Sequence, residues 1–134
     1  MTKDNIDDLA EGFVQWMETG TPPEGFFTSD VLCDFTMPHW RLQAKGVPDV
    51  LALRRQGHPG LGKVPRWRLD KTERGFVIEF EERREWGGEE WTAREMARAD
   101  VTGGAISKLS VYCTGDWDAA LRARHASEIT LIEP

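Results

Sequence analysis

Apolar residues recur at helical spacing near the amino end, where Ile6, Leu9, Ala10, Phe13, Trp16 and Met17 fall on one stripe. Asp4 or Asn5 is available as N-cap and Gly20 as terminator, so the first element reads as an amphipathic helix. Thr21-Pro22-Pro23 suits a short helical turn presenting Phe26 and Phe27. A strand is expected over 31–37, stopped by Pro38, and Gly46-Val47-Pro48-Asp49 opens a second helix running to about Gln56. Val50, Leu51 and Leu53 form its inner face, and Gly57 ends it. The stretch 58–65, rich in glycine and proline, reads as loop.

From Arg66 the period changes to two. Trp67 and Leu69 alternate with Arg66, Arg68 and Asp70, and Phe76, Ile78 and Phe80 alternate with Val77, Glu79, Glu81 and Arg83. Gly87-Gly88 is a two-residue hairpin signal. Closing it sets Arg84 across from Trp91, Glu81 across from Arg94 and Phe80 across from Glu95. Gly103-Gly104 marks a further turn into a strand over 106–113. Asp116 is then the expected cap of a last short helix, on which Ala120, Leu121 and His125 pack back, followed by an apolar tail of Ile129, Leu131 and Ile132. Helices followed by an antiparallel meander make an α+β layout, helices gathered on one face of a curved sheet. The 134 residues suit one domain, 1–134, with no repeat, linker or low-complexity tract.

Charge narrows the partners. Seventeen Lys and Arg stand against twenty-three Asp and Glu, a net charge of -6, which repels a phosphate backbone; nucleic acid is not an expected partner. Basic pairs sit among acids, as in Glu81-Glu82-Arg83-Arg84-Glu85, and read as solvated mixed-sign surface. No apolar run approaches the ~20 residues that span a bilayer. Cys33 and Cys113 lack metal-ligand spacing, and a single pair in a chain showing no secretory leader points to reduced thiols and a cytoplasmic location. Three histidines without paired spacing argue against a metal, and no cofactor motif of the dinucleotide, Walker or nucleophile-elbow type occurs.

The order of elements, the Lys45-Gly46-Val47-Pro48 helix start and the closing run Leu109-Ser110-Val111-Tyr112-Cys113-Thr114-Gly115-Asp116-Trp117-Asp118 resemble the nuclear transport factor 2-like superfamily. Within it, the SnoaL-like and ketosteroid isomerase-like proteins are most similar. The resemblance covers nearly the whole chain and rests on structural rather than catalytic motifs. It implies a cone-shaped half-barrel, cystatin-like, in which a curved antiparallel sheet packs on three to four helices around a pocket. It also implies a homodimer built on the outer sheet face. Enzymes of this group need no cofactor and work by acid–base catalysis on apolar small molecules.

Candidate chemistry centres on Glu95. With Trp91, Ala93, Ala97 and Ala99 as the inward face of their strand, Glu95 shares their parity, so a carboxylate points inward among small residues. Burial raises the pKa of an unpaired carboxylate and keeps a proton available near neutral pH. Register with the isomerases sets Glu95 about where they carry a protonated acid that donates to an oxyanion, an arrangement known in ketosteroid isomerase. The alternative is a structural pair of Glu95 with Arg84 or Tyr112. His39 follows the first strand near the isomerases' base, and Asp34 shares parity with Leu32 and Thr36; either is a candidate base. The isomerases' own aspartate and first-helix tyrosine are missing here.

Trp16, Trp40, Phe80, Trp91, Tyr112 and Asp116 are the candidate pocket residues, aromatic groups for stacking and polar groups at the end of the last strand. His58 and His125 read as surface or cap residues. The expectation is an isomerase-, cyclase- or hydrolase-type acid–base enzyme acting on a hydrophobic small molecule. Its alternatives are a non-catalytic binding module or a protein-association module of the same fold.

Overall fold

A computed structural model describes residues 5–134. Helix α1 spans Asn5–Thr19 and buries Leu9, Ala10, Gly12, Phe13, Trp16 and Met17, the stripe its spacing predicts. Gly20, at φ 78°, donates its amide to the Trp16 carbonyl at 2.8 Å and ends the helix as expected. Of the two candidate caps, Asp4 lies outside the described residues, and Asn5 donates its side-chain amide to the Gly104 carbonyl at 3.1 Å. Residues 21–26 hold turns and extended backbone rather than the expected helical turn. They still deliver Phe26 and Phe27 to the aromatic cluster, with Trp16 edge-on to Phe27 at 5.2 Å between ring centroids.

Six strands follow: β1 (Phe27–Met37), β2 (Trp40–Lys45), β3 (Gly62–Lys71), β4 (Gly75–Trp86), β5 (Glu89–Thr102) and β6 (Ala105–Cys113). Helix α2 (Val47–Gly57) lies between β2 and β3, and α3 (Ala119–Glu128) follows β6. The sheet order is β2-β1-β6-β5-β4-β3. All neighbours are antiparallel except β1 and β6, which run parallel, so the expected antiparallel sheet has one parallel seam. The β4–β5 hairpin has the predicted register: Arg84 faces Trp91, Glu81 faces Arg94 and Phe80 faces Glu95. Gly87 and Gly88, at φ 64° and 78°, supply the two positive-φ positions that such a turn requires.

Three elements differ from the sequence reading. Strand β2 was not expected, because its residues are mostly exposed and lack alternation. It pairs with β1 through a turn at Pro38-His39, where His39 takes φ 72°. Strand β3 begins at Gly62, inside the expected loop, since it extends as an edge partner of β4. Helix α3 is capped by Asp118, whose Oδ1 accepts from the Leu121 amide at 2.8 Å; Asp116 is engaged elsewhere. Leu121 and the tail residues Ile129, Leu131 and Ile132 are exposed.

The core lies between the helices and the inner sheet face, built on Phe13, Val31, Phe35, Val50, Phe76, Ile78, Ile106 and Leu109. Phe13 stacks edge-on against Phe80 at 5.1 Å. Among the described residues no helix is long and apolar enough to cross a membrane.

Candidate active site

At the end of β4 the inward parity continues past Phe80 onto Glu82 and Arg84, and both are buried. On β5 it falls on Ala93, Glu95, Ala97 and Ala99, while Arg94, Met96 and Arg98 face solvent. On β6 Cys113 lies directly across from Glu95. Helix α2 adds Arg54 and, one residue past its end, His58; the chain after β6 adds Asp116, fixed by the Thr92–Trp117 backbone pair at 2.9 and 2.7 Å. A polar cluster thus closes one end of an otherwise apolar interior.

Its connections form two linked pairs. Arg54 grips Glu82 with both terminal nitrogens, at 3.0 Å through Nη1, and donates to the Met17 carbonyl at 3.2 Å. Arg84 donates to Asp116 and to His58 Nδ1. A guanidinium has only donors, so Nδ1 must accept, and the ring proton resides on Nε2. His58 Nε2 stands 3.5 Å from Glu95 Oε1. His58 Nε2 and Glu95 Oε2 are both buried without a hydrogen-bond partner among the described residues.

Electrostatics divides the two glutamates. Burial works to raise the Glu82 carboxyl, but the hydrogen bond from Glu95 and the charge and hydrogen bonds of Arg54 outweigh it and hold Glu82 down at about 2. Glu95 is pushed well above the ordinary carboxylate range, first by burial and then by the charge of Glu82, and keeps its proton. Burial and the two guanidinium groups, against the pull of Glu82 and Asp116, lower His58 to about 4, so the ring is neutral. Burial raises both thiols, Cys33 to about 11 and Cys113 further, the latter with help from Glu95.

Beside this cluster lies a small cavity of about 30 Å³ lined by Phe13, Trp16, Met17, Phe35, Leu53 and His58, among others. That volume exceeds the ~10–15 Å³ needed for one water and is far below a drug-sized ligand's pocket. His58 belongs to both the cavity wall and the polar cluster.

The expected residues separate. Glu95, 4 % exposed, and Asp116 meet in the cluster, and Trp16 lines the cavity. Phe80 is buried against Phe13, and half-buried Trp91 donates its indole N–H to the Trp86 carbonyl at 3.2 Å. Asp34 faces away from the cavity, held by Arg41, whose hydrogen bonds keep its carboxyl below the ordinary value. Tyr112 is exposed on that same outer face. His39 and Trp40 are exposed at the β1–β2 turn, because Pro38 ends the strand before either could turn inward.

Arg54, His58 and Glu82 escaped the sequence reading, and Arg84 entered it only as an alternative partner of Glu95. His58, expected at the surface, is 5 % exposed, and Glu82 and Arg84, taken for solvated charges, are interior. Extending the alternation of Phe76, Ile78 and Phe80 by two more steps would have found the last two.

No protein-family model and no curated protein matches the chain. Solved structures do. A nuclear transport factor 2-like protein from Anabaena variabilis superposes with a TM-score of 0.68 at 22% identity, covering 87% of this chain and 96% of its own. A protein with a cystatin-like fold from Xanthomonas campestris gives 0.64 at 14% identity, covering 82% and 91%. A chain from Rhodopseudomonas palustris bearing the provisional name of isomerase gives 0.63 at 10% identity, covering 84% and 91%. Identities this low speak to architecture alone. The curved six-stranded sheet, helices α1 and α2 on its inner face and these neighbours together identify the chain as a protein of the nuclear transport factor 2-like fold.

Proposed function

We propose that the chain is an acid–base pocket protein of the SnoaL-like and ketosteroid isomerase-like kind, acting on a small apolar molecule that carries a carbonyl-type oxygen. The observation that carries the reading is the pairing of a protonated Glu95 with the Nε2–H of a neutral His58, buried side by side, with Glu95 Oε2 and His58 Nε2 free of hydrogen-bond partners among the described residues. Two donors in a water-poor site suit an oxygen on which negative charge develops, where such preorganised groups are worth most. Glu95 is the proton donor and His58 the second hydrogen-bond donor. Arg54 and Glu82 are positioning residues: Arg54 keeps Glu82 ionised, and Glu82 keeps the proton on Glu95.

The cavity's volume limits what enters without rearrangement, so the substrate is compact or displaces Met17 and Leu53 at the wall. The provisional isomerase name of one structural neighbour fits this chemistry. The test is a screen of small enolisable carbonyl compounds against wild type, Glu95→Gln and His58→Ala. Turnover lost by at least ~100-fold in both variants supports the reading, following the usual range for a general acid. A ligand that stabilises wild type and Glu95→Gln equally, with no turnover in either, would establish a binding module instead.

A further inference from the structure

The donor atoms of His58, Glu95 and Cys113 lie within 4.8 Å of one another, all on the inward side of the cluster. An imidazole, a carboxylate and a thiolate are a ligand set of the zinc class, and three protein ligands with one position free is the pattern of an open site. Two features beyond spacing point to an ion. His58 Nε2 and Glu95 Oε2 are buried with no hydrogen-bond partner among the described residues. The Gly115 amide donates to Cys113 Sγ at 3.3 Å, a contact that favours the thiolate form.

The surroundings match what a ligating histidine needs. His58 Nδ1 lies 3.6 Å from Glu82 Oε2 and 3.8 Å from Asp116 Oδ1, carboxylates able to accept its proton once Nε2 binds metal. Arg84 then releases the ring and keeps its bond to Asp116, whose Oδ1 has no partner of its own. Charge balances as well. The guanidinium groups of Arg54 and Arg84 already pair with the carboxylates of Glu82 and Asp116, so the charges of a carboxylate and a thiolate ligand are left to offset those of a divalent cation.

We propose that His58 Nε2, the Glu95 carboxylate and Cys113 Sγ form a binding site for a zinc-class divalent ion. The inference does not depend on the acid–base reading. It uses the same atoms in a different protonation state, so a bound ion would silence Glu95 as a donor.

The test is titration of the chelator-stripped chain with Co²⁺ and then Zn²⁺, without substrate. Expected are one ion per chain and a cobalt–thiolate charge-transfer absorption that Zn²⁺ abolishes. Cys113→Ser should lose the absorption and Cys33→Ser keep it. No thiolate band in wild type, or an unchanged band in Cys113→Ser, would overturn the site. The band is read on wild type, so it stands even where a variant fails to fold. Metal binding, together with no turnover by the chelator-stripped chain in the carbonyl screen, would leave the acid–base reading refuted and this one intact.

Discussion

Glu95→Gln is the most informative single change, because it removes one titration and keeps the shape. Glu95 holds its proton in the folded chain above its ordinary 4.5, whereas the unfolded chain loses it there. Between those two values the folded state binds the extra proton, so stability falls as pH rises, by about 1.4 kcal/mol per unit. His58 acts in the opposite sense. Lowered from 6.5 to about 4, it stays neutral when folded while the unfolded chain takes up a proton. Its contribution is complete above pH 6.5 and is lost as pH falls toward 4, on the order of 3 kcal/mol in all. In wild type the two slopes oppose each other from pH 4.5 upward, as far as 6.5, for as long as folded Glu95 keeps its proton. In Glu95→Gln the stability should instead climb to pH 6.5 and then level off. Urea unfolding at half-unit pH steps measures both curves. Parallel curves for the two proteins would show that Glu95 is ionised in the fold and would undo the electrostatic account of the site.

Arg54→Met strands Glu82 as an unpaired buried charge and should cost about 3–5 kcal/mol, whereas Arg54→Met with Glu82→Met should cost clearly less; equal losses on denaturant unfolding would mean the pair carries no buried charge. Gly75→Ala would drive a methyl into the Ala99 carbonyl oxygen at the β4–β5 start, so a loss of about 1–3 kcal/mol or more is expected from thermal unfolding, and wild-type stability would contradict the close approach. Cys33, buried with its thiol raised to about 11, should resist alkylation at pH 8 until the protein unfolds; labelling of Cys33 at native rates, located by peptide mass, would show that the core opens there.

Much of the architecture was readable because β4 and β5 alternate cleanly and two double glycines set their hairpin registers. That alternation alone put Glu95 in the interior. It failed at Glu82 and Arg84 for a physical reason: five consecutive charges, 81–85, look like surface, and only their mutual neutralisation with Arg54 and Asp116 makes burial tolerable. His58 lay beyond pattern reading, since it sits just after a helix end in a glycine- and proline-rich stretch where no periodicity operates. His39 was drawn in by the family resemblance, and Asp34 by taking the parity of Leu32 and Thr36 as the inward one. The first lies past the proline that ends β1, and the second lies on the outer side of the same strand.

The parallel seam between β1 and β6 has a consequence for how the chain is made. Strand β1 can pair with β2 as soon as both leave the ribosome, but its other edge stays unmet until residues 105–113 emerge, after β3, β4 and β5. The polar cluster needs α2, β4, β5, β6 and Asp116 together, so it is the last part to assemble. Through most of synthesis Glu82, Arg84 and Glu95 remain hydrated, and the cost of drying them falls on the step that joins the two ends of the sheet. That long-range closure is expected to set the folding rate.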